Sequence, residues 1–247
     1  MVAMDQRESL RTMFREHGHD DSDARLRMFK TAVARELAPH ASGFLVEAQF
    51  VDDLRPYVPR GLILAVDVLQ QERGGIVEDT SLDELDAVPD GVEALKLLVI
   101  WRDDERRAER VEMCERFVAL AARHGVLSVL EPVVREDEQI VEAARELGAT
   151  RPSLYKCQAP RGGHVVARCE EITNVLPVPW VVLSQGVPRD EFPQAVEDAC
   201  RGGARGFLAG RALWTNALAA DDPTALLRDQ SVPRLLELIE IVDRYAC

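Results

Sequence analysis

Lysine is scarce in this chain. Its 247 residues include 27 arginines and only three lysines, Lys30, Lys96 and Lys156. Two of the three stand inside apolar runs, Lys96 in EALKLLVIW and Lys156 in SLYKCQAP. Period-two alternation in SLYKCQAP puts Leu154, Lys156 and Gln158 on one face of a strand, with Tyr155 and Cys157 on the other. Burial disfavours an ammonium ion, and a second lysine nearby, here Lys96, disfavours it further. A lysine so desolvated is a usable nucleophile toward a ketone and gives a Schiff base. The protonated imine is an electron sink that permits carbon–carbon cleavage beside the former carbonyl. Such a cleavage also needs a base at the hydroxyl that becomes the aldehyde. Glu131, closing the apolar run VLSVLEP, is the natural candidate. The plainer alternative is a buried lysine pair neutralised by Glu131 and Asp5 for structural reasons.

These residues need a scaffold that brings strand ends together. Eight short apolar runs read as strands: 2–6, 43–47, 62–67, 94–101, 126–132, 153–157, 179–186 and 206–210. Amphipathic helical patterns lie between them, near 7–17, 23–38, 103–124, 135–147, 163–176, 189–201 and 211–220, and a last one near 231–245. SLDELDA, between the third and fourth strands, reads as a short helix. Eight β/α alternations over this length predict an α/β fold, a (β/α)8 TIM barrel that takes up residues 1–247 as one domain. A doubly wound open sheet is the alternative, but the glycine-rich dinucleotide turn after the first strand is absent. Functional groups of such barrels sit at the C-terminal ends of the strands. Those ends carry Asp5, Gln6 and Arg7, Glu47 and Gln49, Asp67, Lys96 and Arg102, Glu131, Lys156 and Gln158, Ser184, Gln185 and Gly186, and Gly210 and Arg211. Contact with water is enough to explain Arg102 and Asp67. It does not explain Lys96, which four apolar residues follow before its strand ends.

The ends of the seventh and eighth strands, LSQGV and FLAGRALW, suit an anion. Gly186 and Gly210 allow close backbone approach, Ser184 can donate, and Arg211 can grip an oxyanion with two parallel hydrogen bonds. HGHDD at 17–21 gathers two histidines and two aspartates but falls after a helix, and reads as a solvated turn. No HxxxH pair, cysteine cluster or facial triad occurs, so neither a metal nor another cofactor is expected. The net charge of −13 argues against nucleic acid or an anionic membrane as the main partner. No run is long and apolar enough for a membrane-spanning helix, and the first residues lack the apolar core of a signal peptide. The five cysteines show no CxxC spacing and are expected to be reduced, buried thiols of a cytoplasmic protein.

Taken in order, AMDQRESLRTMF, ALKLLVIWRDDE, VLSVLEPVVR, LYKCQAP, PWVVLSQGV and GFLAGRALW resemble the class I aldolase family of sulfofructosephosphate aldolase and tagatose-bisphosphate aldolase, more nearly the former. The resemblance spans nearly the whole chain. It implies a metal-independent (β/α)8 lyase that cleaves a phosphorylated ketose to dihydroxyacetone phosphate and an aldehyde. In the sulfosugar branch the substrate is 6-deoxy-6-sulfofructose 1-phosphate and the aldehyde sulfolactaldehyde; tagatose and fructose bisphosphates are the alternatives. It puts the Schiff-base lysine on Lys156, the acid/base glutamate on Glu131 and the neighbouring active-site lysine on Lys96. Asp5 and Gln6 fall on the hydroxyl-orienting pair of the first strand, and Ser184, Gly186 and Arg211 on the anion site; Gln49 and Gly210 complete the expected substrate contacts. A homo-oligomer is also implied. Four departures stand out. Gln158 replaces the acid usually found two residues after the lysine, and Gln185 a small hydroxyl residue. The loops after the third and fifth strands look short, and little precedes the first strand. These changes also allow a non-catalytic relative that binds a sugar phosphate.

Overall fold

The computed structural model of the protein describes residues 1–185 and 187–246. Its strands are β1 (Val2–Ala3), β2 (Phe44–Glu47), β3 (Leu62–Ala65), β4 (Asp67–Gln71), β5 (Val77–Leu82), β6 (Val92–Ile100), β7 (Leu127–Val133), β8 (Leu154–Gln158) and β9 (Trp180–Leu183). Helices α1 (Glu8–Glu16) and α2 (Asp23–Leu37) follow β1, and the short α3 (Val51–Leu54) follows β2. Helices α4 (Arg107–Arg123), α5 (Ile140–Gly148), α6 (Val165–Val175) and α7 (Phe192–Arg201) follow β6 to β9 in turn. The chain closes with α8 (Arg211–Trp214), α9 (Thr224–Leu226) and α10 (Val232–Tyr245). Among the described residues seven strands form one all-parallel sheet in the order β1-β2-β3-β6-β7-β8-β9. Segment 206–209 bridges its two edges: Phe207 pairs with Val182 of β9, and Ala209 with Val2 of β1. The result is a TIM-barrel-like α/β fold with helices outside.

The strands are apolar on both faces because both faces are covered, as parallel sheets require. One apolar layer lies between sheet and helices and includes Phe29, Phe44, Phe117 and Trp214. A second, smaller one fills the inside of the sheet. It draws Ala3, Leu45, Ile63, Ala65, Ala94, Val129, Val181 and Leu208 from successive staves, with Leu154 of β8 packed on it. Two residues further along their staves stand Asp5, Glu47, Asp67, Lys96, Glu131 and Lys156. A period of two thus sets a charged ring directly above an apolar plug.

Three expectations need correction. The first strand, expected over 2–6, is laddered only at Val2–Ala3. Beyond it, the carbonyls of Met4 and Gln6 accept hydrogen bonds from the Lys30 ammonium, each at 2.8 Å, instead of from a neighbouring strand. The eighth run, 206–210, makes single bridges, not a continuous ladder. SLDELDA is not helical. Its first residues complete β5, which pairs antiparallel with β4 from Asp67↔Leu82 to Gln71↔Val77. Cross-strand pairing there overrides a weak helical period, and Gly74, at φ 76°, supplies the left-handed turn between the two strands.

Lys30, on α2, is fully buried although nothing in its own helix marks it. Besides the two carbonyls it bonds Glu47 Oε1 at 2.6 Å. Burial lowers its pKa, Glu47 pulling it back; burial likewise raises that of Glu47, which Lys30 opposes. This lysine ties α2 to the ends of β1 and β2. Lys30→Met leaves Glu47 buried without its counter-ion, and a loss of about 3–5 kcal/mol in urea unfolding is expected. Removing both charges in Lys30→Met/Glu47→Leu recovers a large part of that loss; a double variant as unstable as the single one overturns this account.

Candidate active site

Apart from Glu47, whose partner is Lys30, the charged ring forms a connected network. Lys96, on β6 two residues above Ala94, is 1% exposed. Its ammonium meets Asp5 Oδ2 at 2.9 Å, Asp67 Oδ1 at 3.0 Å and Glu131 Oε2 at 2.8 Å. The other oxygen of Glu131, Oε1, lies 2.8 Å from Lys156 Nζ on β8. One carboxylate therefore bridges two lysines, one oxygen to each. Arg7 closes the far end, donating to Asp67 Oδ2 at 3.2 Å and to the Asp67 carbonyl at 2.8 Å. Register explains the meeting. Lys96 lies beside Ala65 on one side and Val129 on the other, and Glu131 is two residues beyond Val129.

The electrostatics follow from this packing. Burial on its own lowers the pKa of Lys96, but Asp5, Asp67 and Glu131 outweigh it and hold the group well above its ordinary value. Burial would raise the Asp5 carboxyl; Lys96, Lys156 and, more weakly, Lys30 hold it below the usual carboxylate range. Lys96 is thus a fixed cation that three carboxylates share. Cys157, on the opposite face of β8, is free and buried, and burial pushes its thiol far up, which leaves Lys156 without a competing nucleophile on its strand. Cys114, Cys169 and Cys200 are also free and buried. Cys247 lies outside the described residues.

The network floors a cavity of about 610 Å³. Asp5, Gln6, Lys96, Glu131, Lys156, Gln158, Ser184, Gln185, Gly210 and Arg211 all line it. Gly186 lies outside the described residues. Gln49 does not belong there: it is exposed, and its amide donates to Asp23 Oδ2 at 3.0 Å. The chain enters a short helical turn immediately after β2, and this carries Gln49 to the outer surface. Gly210 acts by omission. A Cβ there would fall 2.8 Å from the Ala3 carbonyl and 2.9 Å from Gln6 Nε2, so glycine lets Gln6 sit against the last stave. Gln158 Oε1 accepts from the Val134 amide at 2.7 Å, a bond a carboxylate would also accept. HGHDD makes a turn after α1, where Asp21 pairs with Arg15 and Arg73.

Sequence reading missed several residues. Asp67 is buried under Lys96, not a strand end meeting water. The β4–β5 hairpin brings Leu69, Gly75, Ile76 and Val77 to the cavity wall, Arg135 and Arg161 line it too, and so does Arg7 from the end of the first strand. Lys30 acts from behind, through the backbone on either side of Asp5. Asp67 and Arg7 had stood among the strand ends without a role, and Lys30 carried a signal as the third lysine of a chain that otherwise uses arginine.

Comparison with known proteins bears on what such a site is for. Residues 1–216 match the family described as DeoC/LacD family aldolase. A tagatose 1,6-diphosphate aldolase of Listeria monocytogenes is 23% identical across 99% of this chain and 87% of its own length. Among solved structures, a fructose-bisphosphate aldolase from Plasmodium falciparum superposes with a TM-score of 0.75 at 12% identity, covering 100% of this chain and 90% of that one. An archaeal fructose-1,6-bisphosphate aldolase, solved with its catalytic lysine covalently bound to the carbinolamine intermediate of its substrate, gives 0.66 at 18% identity over 98% and 93%. The two structures share the fold of this chain.

The shared cation makes a prediction about stability and pH. In the parent chain the low Asp5 pKa contributes stability that is present above about pH 4, the unfolded value, and is lost as pH falls further. In Lys96→Met, Asp67 keeps Arg7 and Glu131 keeps Lys156, but Asp5 loses its ion-pair partner, and burial then favours its neutral form. The native variant binds more protons than the unfolded one, so its stability rises as pH falls. Urea unfolding is expected to give a deficit of about 3–5 kcal/mol at pH 8 that narrows clearly at pH 5.5. A deficit independent of pH contradicts the role given to Lys96.

Proposed function

The chain belongs to the DeoC/LacD family of aldolases, and on that premise we propose that it is a lyase working through a Schiff base on Lys156. The observation that carries this reading is the Glu131 carboxylate, set 2.8 Å from Lys156 Nζ and 2.8 Å from Lys96 Nζ on the floor of a cavity large enough for a sugar. Lys156, as the free amine, adds to the ketone carbon of the substrate, and loss of water gives the protonated imine. Glu131 moves the protons of these steps. It then takes the proton from the hydroxyl on carbon 4. The C3–C4 bonding pair passes into the imine, and the aldehyde departs. The resulting enamine is protonated at carbon 3, and water releases dihydroxyacetone phosphate and regenerates the amine.

The other groups have supporting parts. Lys96 fixes Glu131 from its second oxygen and supplies positive charge beside it without itself giving up a proton. Asp5 and Gln6 orient hydroxyls; Gln6 Oε1 is a buried acceptor with no hydrogen-bond partner among the described residues, and a substrate hydroxyl suits it. Ser184, Gly186, Gly210 and Arg211 receive the phosphate on carbon 1. This reading takes residues 1–247 as one (β/α)8 barrel, with 206–209 as its eighth stave.

The ordered motifs favour 6-deoxy-6-sulfofructose 1-phosphate, cleaved to sulfolactaldehyde, as the substrate. A ketose 1,6-bisphosphate is the second reading. The tagatose 1,6-diphosphate aldolase of Listeria monocytogenes, aligned over almost the whole chain, favours it.

Borohydride reduction in the presence of dihydroxyacetone phosphate, followed by peptide mass mapping, is expected to leave a stable adduct on Lys156. Lys156→Met is expected to form no adduct and to lower kcat by about three orders of magnitude or more. Glu131→Gln is expected to lower kcat by roughly 10²–10⁴. Turnover retained in Lys156→Met, or ligand binding without an adduct on any lysine of the parent chain, sinks the mechanism.

A further inference from the structure

Six cationic side chains line the cavity, against three carboxylates, Asp5, Asp67 and Glu131. Arg7, Lys96 and Lys156 are committed to those carboxylates. Three arginines remain, and they do not stand together. Arg211 follows segment 206–209 and shares its end of the cavity with Ser184, the residue after β9. Arg135 stands two residues after β7 and Arg161 three residues after β8, so these two rise from adjacent staves. Lys156 points toward this side, since its amine is bonded to Glu131 of β7.

The loops that carry Arg135 and Arg161 are braced against each other. Gln158, at the end of β8, accepts from the amide of Val134, the residue before Arg135. Asp137, just past Arg135, accepts from the Arg161 amide at 3.2 Å and also pairs with Arg168. Arg168 in turn donates to the Arg161 carbonyl at 3.1 Å. Backbone and support are fixed while the guanidinium groups are left uncommitted. That of Arg161 has no hydrogen bond or ion pair among the described residues. That of Arg135 has one, at 3.4 Å, to Glu78 of β5, itself 61% exposed. A pre-ordered frame presenting guanidinium groups with little else to bind is what an oxyanion site requires.

We propose that Arg135 and Arg161 form a second oxyanion subsite, which holds the terminal phosphate or sulfonate at the far end of the ketose from the group bound near Arg211, and so select doubly anionic substrates. The proposal deepens the aldolase reading and rests on it for the direction in which the sugar lies. An incoming oxyanion takes the place that Glu78 holds on Arg135, and the wall of the β4–β5 hairpin, Ile76 and Val77, covers the carbon chain between the two ends.

Binding of polyols that lack the ketone separates the subsite from the imine chemistry. Titration calorimetry with hexitol 1-phosphate, hexitol 1,6-bisphosphate and 6-deoxy-6-sulfohexitol 1-phosphate is run on the parent chain, Arg161→Ala, Arg161→Lys and Arg135→Ala. Both arginines are exposed, and their substitution does not threaten the fold. Each alanine variant is expected to weaken the doubly anionic ligands roughly ten- to a hundredfold and to leave hexitol 1-phosphate unchanged, with Arg161→Lys in between. Whichever of the two doubly anionic ligands the parent binds more tightly, and the variants lose more, identifies the oxyanion as phosphate or sulfonate. Equal losses for all three ligands, or none, overturn the proposal. Borohydride trapping of dihydroxyacetone phosphate is expected to be the same in these variants as in the parent. If the parent traps nothing while the arginine-dependent discrimination persists, the Schiff-base reading falls and the subsite stands.

Discussion

A carboxylate shared between two lysine ammonium groups is the interaction on which the rest of this structure turns. Charges this deep are tolerated only in near balance, because an isolated buried ion costs several kcal/mol of lost hydration. Here the balance is local. Asp5, Asp67 and Glu131 face Lys96, Lys156 and Arg7, and each charge has at least one partner within 3.2 Å. The apolar plug beneath keeps water from the floor of the site, which strengthens every one of these contacts and makes the position of each side chain matter more.

The two lysines have different tasks because their surroundings differ. Lys96 is surrounded by three carboxylates and stays charged. Lys156 has a single carboxylate partner and an open cavity above it. A pair of lysines that looks equivalent along the chain is thereby divided into a fixed cation and a group free to react. Behind them Lys30 performs a third task from outside the cavity. It grips the carbonyls on either side of Asp5 and holds the end of β1 where Asp5 can reach Lys96.

The same separation of frame and ligand runs through the rim. Gln158 and Asp137 tie neighbouring loops together through backbone amides, so both work structurally. Gln158 brings no charge to the cavity and makes a hydrogen bond that shapes its edge. With the three carboxylates already matched, the arginines left over give the cavity a positive excess inside a chain whose net charge is −13. A small anion meets a local field opposite to that of the molecule as a whole.

Much of this was legible in the amino-acid order. The alternation of apolar runs with amphipathic segments specified the parallel strands and their covering helices. The period of two put Lys156 and Gln158 on one face of their strand, and strand-end position singled out Lys96 and Glu131, because such signals are local and repeat within a few residues. Three features were decided only by tertiary structure. Gln49 left the site because the chain turns immediately after β2, a bend no periodicity announces. The β4–β5 hairpin replaced an expected helix because its stability comes from partners across the strand, not from its own residues. Asp67, Lys30 and the uncommitted arginines acquired their meaning from neighbours tens of residues away, since the value of a charge in a protein is set by what lies within a few ångströms of it and by how much water remains.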